Sequence, residues 1–135
     1  MLPLSISTFH RKSEALNETL FLVLYSAYIF LDYGRWDVSN VKFMANSFHG
    51  ASSFDVPLSN WDVSSVEDME GIFANCTLFN GDLSQWDVSK VIVASRAFQD
   101  ALSFTADLSR WQTSSFQETT AMFSGAVSFE SDLSK

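Results

Sequence analysis

Four tryptophans fall at Trp36, Trp61, Trp86 and Trp111, and every step between them is 25 residues. Other columns keep the same step. Phe48, Phe73, Phe98 and Phe123 form one, Phe54, Phe79, Phe104 and Phe129 a second, and Leu58, Leu83, Leu108 and Leu133 a third. Serines 59, 84, 109 and 134 follow the leucines, and small residues hold Ala51, Cys76, Ala101 and Ala126. So many columns with one period make the chain a tandem repeat. Each unit is too small to bury its own apolar face, so neighbours must stack to close a core. The predicted architecture is a solenoid.

The unit is clearest from Leu58 to Phe79. There Val66, Met69, Phe73 and Cys76 sit at spacings of three, four and three, which puts them on one face of a helix. Ser64 with Glu67 three residues on forms a capping-box pattern, and Ser114 with Gln117 repeats it. Ser39 and Ser89 supply the cap without the partner. The pattern predicts a helix over roughly 66–76, a turn at Asn80 and Gly81, and a short strand over about 82–86. The fold class expected from this is an α/β repeat solenoid, a stack of four 25-residue helix–turn–short-strand coils. Its coils are 36–60, 61–85, 86–110 and 111–135.

Residues 1–10 read as a tail, and 11–135 as one domain. Stepping back 25 positions places Leu16, Val23, Ile29 and Asp32 on established columns, so 11–35 reads as a degenerate N-terminal capping coil. Within it, 20–31 is an apolar run of 12 residues. A helix of that length spans about 18 Å against a hydrocarbon core of about 30 Å, which disfavours a membrane span. Glu14 and Glu18 stand where a signal peptide needs basic residues, so no signal peptide or anchor is expected here. The chain stops just after the Leu-Ser that would open another coil. An uncapped end is expected to stack on further repeats or to self-associate.

Net charge is −8, from 16 acidic and 8 basic residues, which excludes a phosphate-backbone partner and argues against attachment to anionic lipid. One cysteine, Cys76, excludes an intrachain disulfide and fits its column as a buried, inert thiol. His10 and His49 lie in unrelated contexts, and no phosphate loop, nucleophile elbow or metal-ligand cluster occurs. Catalysis needs unlike residues converging once, so no enzyme, no catalytic residue and no cofactor are expected. Two aspartate columns recur: Asp37, Asp62 and Asp87, and Asp32, Asp82, Asp107 and Asp132. Stacking would set their members about 4.8 Å apart, which could suit calcium. The plainer expectation is that they accept backbone N–H groups in turns. The tryptophan column is expected in the core, with a ligand platform as the rival. Glu67, Asp68 and Glu70 read as a solvated acidic face. Sequons at Asn17 and Asn75 are weak.

Residues 58–82, LSNWDVSSVEDMEGIFANCTLFNGD, resemble the bacterial surface protein repeat family. These BspA-like units, related to leucine-rich repeats, are abundant in mycoplasma lipoproteins. The pattern F-N-x-D-L-S-x-W-D-V-S-x-V matches Phe79 to Val91, while Ala94, Thr119, Gln112, Thr113 and Pro57 depart from it. The resemblance implies a right-handed, leucine-rich-repeat-like coil with one helix per unit, no catalytic residues, and a cell-surface or extracellular role in adhesion. The expected function is non-enzymatic binding of a protein or glycan through an array face. The outward column Lys42, Glu67, Ile92 and Gln117 varies as such a face would. The alternative is a structural spacer, or a fragment of a longer array, with no ligand of its own.

Overall fold

Apolar residues that recur three positions apart are held there by tight turns and not by a helix. The computed structural model describes residues 37–134. The tail, the capping coil, the apolar run, Trp36, Asp32 and the sequon at Asn17 lie outside them. Within each unit the amide of one buried residue donates to the carbonyl three positions back. In the second unit these pairs are Val66 to Val63, Ile72 to Met69, Cys76 to Phe73 and Phe79 to Cys76. Trp86 to Leu83 opens the next unit in the same way. In the turns 63–66, 76–79 and 83–86 the first and fourth side chains are buried and the middle two are not, while in the overlapping turns over 69–76 Gly71, Ile72, Phe73 and Ala74 are buried as well. Val63, Val66, Phe73, Cys76 and Phe79 are thus buried, whereas Asn75, Leu78 and Gln85 are exposed.

The α/β class is therefore corrected. Among the described residues there is no helix, and the expected strand at 82–86 is absent. Only isolated parallel bridges join Phe43 to Asp68, Asp68 to Val93, and Val93 to Glu118. The helix per coil that the resemblance implied is missing too. Its obstacle is written in the backbone: Asn46, Gly71, Arg96 and Ala121 hold φ between 54° and 57°. Four residues on, Gly50, Asn75, Asp100 and Gly125 hold φ between 55° and 74°. A left-handed residue every fourth position reverses the chain before a right-handed helix can propagate. The capping box fails with it. The amide of Glu67 donates to Lys42 of the preceding unit, and the amide of Ser64 is taken by Asp62.

The run of turns divides its backbone groups between two uses. In 69–76, the amides of Ile72, Ala74 and Cys76 close turns onto Met69, Gly71 and Phe73. The amides of Met69, Gly71, Phe73 and Asn75 reach forward to the carbonyls of Val93, Ser95, Ala97 and Gln99. The carbonyls of Asp68, Glu70, Ile72 and Ala74 accept from Met44, Asn46, Phe48 and Gly50 behind them. The same scheme joins 94–100 to 118–124, and all twelve of these inter-unit bonds measure 2.7–3.0 Å. An alternation of local and lateral bonds leaves few buried polar groups unmet, as a packed interior requires. Gly71 is needed at its place twice over. Its φ is 56°, and an added Cβ would collide with the side chain of Asn46.

Lateral pairing sets the rings in register. Phe48, Phe73, Phe98 and Phe123 stack at successive centroid distances of 5.4, 5.6 and 5.3 Å. Phe54, Phe79, Phe104 and Phe129 follow at 5.5, 5.9 and 5.8 Å. Inside each unit the two rings lie 4.0–4.4 Å apart, which joins both columns into one aromatic core. Offset stacking of this kind adds about 0.5–1.5 kcal/mol per pair beyond burial.

Candidate functional site

The tryptophans lie inside the fold. Trp61, Trp86 and Trp111 are buried, and Trp61 and Trp86 are parallel to within 1°. Each later indole donates its Nε1–H backwards, Trp86 to the carbonyl of Leu58 at 3.1 Å and Trp111 to that of Leu83 at 3.0 Å. A buried indole needs such an acceptor, and a leucine carbonyl 28 residues earlier provides it. Leu58, Leu83 and Leu108 are fully buried beside them, while Leu133 is half-buried.

The aspartates sit in turns. Oδ1 of Asp37, Asp62 and Asp87 accepts the amide of Ser39, Ser64 and Ser89 at 3.0–3.1 Å. Asp82, Asp107 and Asp132 hold Ser84, Ser109 and Ser134 in the same way at 2.8–2.9 Å. These are Asx turns, in which the side chain imitates a backbone carbonyl. Hydrogen bonds to the charged form favour it. The serine hydroxyl, then the amide, holds Asp37, Asp62 and Asp87 below the usual carboxylate range. For Asp82 and Asp107 the amide leads and the hydroxyl follows. Among the described residues no group of three or more His, Cys, Asp or Glu side chains converges as metal ligands. The thiol of Cys76 donates to the carbonyl of Phe48 at 2.9 Å, and burial pushes its pKa up to about 12.

The acidic cluster divides by partner. Glu67 pairs with Lys42 of the unit before it, and Glu70 with Arg96 of the unit after it, both at 2.8 Å. Asp68 accepts the amide of Glu70. Exposed pairs of this kind contribute about 0–1 kcal/mol, so they fix register more than they stabilise. A polar ladder runs along another line: the amide of Asn80 donates to Asp55, and the amide of Thr105 to Asn80 Oδ1.

Apolar side chains remain outside at one corner. The turn after the small-residue column carries Ser52-Ser53, Thr77-Leu78, Leu102-Ser103 and Val127-Ser128 in successive units. Leu78 is 56% exposed, Leu102 44% and Val127 80%, three of the five large apolar residues most open to solvent among the described residues. The amide of Leu78 donates to Ser52, and that of Ser103 to Thr77, which sets these corners one upon the next. Of the other two, Phe43 lies on the bridge line with Asp68, Val93 and Glu118, and Ile92 one position before that line. The corner was missed in the sequence because its residues fall just beyond the expected helix and outside the apolar columns. Its signal was the entry of Leu and Val into columns otherwise filled by Ser and Thr.

No helix among the described residues is long and apolar enough to cross a membrane. Neither a curated protein nor a solved structure matches the chain. One family does, described as "Mycoplasma protein of unknown function, DUF285", over residues 18–135. That span takes in all four repeats and about half of the segment before them. The chain belongs to this Mycoplasma family of unknown function.

Proposed function

We propose that the chain is a non-enzymatic, surface-associated binding module that engages a protein through the corner carrying Leu78, Leu102 and Val127. The observation that carries this is the exposure of those three side chains in the same turn of successive units, Leu78 one position later in its turn than Leu102 and Val127. Regular stacking lets several weak contacts along one line act together. A protein is favoured over a glycan because the described tryptophans, the best sugar-stacking groups, are buried. A net charge of −8 favours a neutral or basic partner surface. Surface association rests on the resemblance to bacterial surface repeats.

The test uses the full chain, immobilised and presented to a panel of purified extracellular-matrix proteins and to a glycan array. The comparison is a variant with Leu78→Ser, Leu102→Ser and Val127→Ser. Saturable binding to a protein, weakened at least about tenfold in the variant, is the expected result, since each buried apolar side chain is worth about 1.5–3 kcal/mol. Glycan binding indifferent to the three substitutions would move the site elsewhere. Binding to neither class would favour a structural spacer.

A further inference from the structure

The fourth unit presents an edge that the first three units use for pairing. Amides of Met44, Asn46, Phe48 and Gly50 donate to the second unit, those of Met69, Gly71, Phe73 and Asn75 to the third, and those of Ala94, Arg96, Phe98 and Asp100 to the fourth. The corresponding amides of the fourth unit belong to Thr119, Ala121, Phe123 and Gly125. Among the described residues none of these four donates to a backbone carbonyl. The rings beside them are open on the same side. Phe73, Phe79, Phe98 and Phe104 are fully buried, but Phe123 and Phe129 are only half-buried, although they stack 4.0 Å apart.

The geometry points to this edge as a docking surface for a further turn unit of the same 25-residue pattern. What the edge accepts is shown three times within the chain. Each internal junction seats a segment that offers carbonyls at alternate residues and two phenylalanines six positions apart. A two-fold contact between two such edges would set donors against donors, so the edge is not self-complementary. An ordinary extended strand offers carbonyls but not the phenyl pair in register with Phe123 and Phe129. This surface is distinct from the Leu78 corner and does not depend on the binding function proposed for it.

The experiment compares the 135-residue chain with the same chain extended after Lys135 by a copy of residues 86–110. Amide hydrogen exchange is followed residue by residue by NMR. In the extended chain the amides of 119, 121, 123 and 125 are expected to slow at least about tenfold, towards the rates of 94, 96, 98 and 100. A second extended chain, with both phenylalanines of the added unit changed to Ser, is expected to lose that protection. Equal rates in the natural and extended chains would overturn the assignment. Protection that appears in the unextended chain as its concentration rises, with a dimer in sedimentation, would overturn it too, because it would give the edge to a second copy.

Discussion

Replacing an exposed alanine by glycine reports which backbone conformation the alanine holds. Ala45 and Ala121 occupy neighbouring columns of the turn run, and both are exposed. Ala121 has φ 54°, whereas Ala45 is not among the positive-φ residues. An L-residue in the left-handed region costs about 1–2 kcal/mol relative to glycine. Glycine returns about 0.4–1 kcal/mol of that through the greater freedom of the unfolded chain. Ala121→Gly is therefore expected to stabilise the protein by about 0.5–1 kcal/mol. Ala45→Gly pays the entropy without relief and is expected to destabilise by about 0.5–1 kcal/mol. With a urea m-value of about 1.5 kcal/mol/M, the two midpoints should move in opposite directions by about 0.3–0.7 M. Equilibrium urea unfolding followed by tryptophan fluorescence measures both. A helix over this run would give a loss of about 1 kcal/mol at each site. A midpoint for Ala121→Gly that falls as far as that of Ala45→Gly would refute the turn architecture.

Two further outcomes follow from the core and from the aspartates. Phe73→Ala, at a ring enclosed by Phe48, Phe79 and Phe98, is expected to cost about 3–5 kcal/mol; Phe123→Ala, half-buried and covered by Phe98 on one side, should cost about half as much. Equal shifts in urea midpoint would mean that the fourth unit is as enclosed as the second. Asp37, Asp62, Asp82, Asp87 and Asp107 titrate lower in the folded chain than the ordinary carboxylate does. Their stabilisation is thus complete above the unfolded value of about 3.9 and is lost as pH falls through the lowered folded values. The urea midpoint should hold steady from pH 7 to 5 and decline below about pH 4. Asp62→Asn with Asp87→Asn, which keeps the turn acceptor but not the charge, should flatten that decline.

The period, the columns and the identity of the core were legible because burial in a repeat is a matter of spacing and side-chain type. Trp86, Phe73, Phe98 and Leu83 are buried where the 25-residue step places them. The conformation between those residues was not legible from apolar spacing. Turns closed over four residues and the turns of a helix both return a side chain to the same face after three positions, so Val66, Met69, Phe73 and Cys76 fit either. The discriminating column was Gly50, Asn75, Asp100 and Gly125, whose members share tolerance of positive φ and poor helix propensity. The aspartates were partly legible. Their service to the serine two residues on follows from Asp-x-Ser, but the lateral partners of Glu67 and Glu70 depend on register, which only the stacked chain defines.

The division of backbone amides between local turns and the neighbouring unit has a consequence for how such a chain can change. Odd-numbered amides of 69–75 reach across while those of Ile72 and Ala74 between them close turns. One inserted residue would exchange those roles for every amide that follows, aim donors at donors' places, and carry the inward phenylalanines out of their columns. A unit can thus absorb substitutions freely, as Ala94 for Met69 or Gln112 for Asp87 illustrate, yet it is phase-locked against insertion and deletion. Whole units are the increments by which length can vary, and the unbroken 25-residue step from Trp36 to Trp111 is the trace that this constraint leaves.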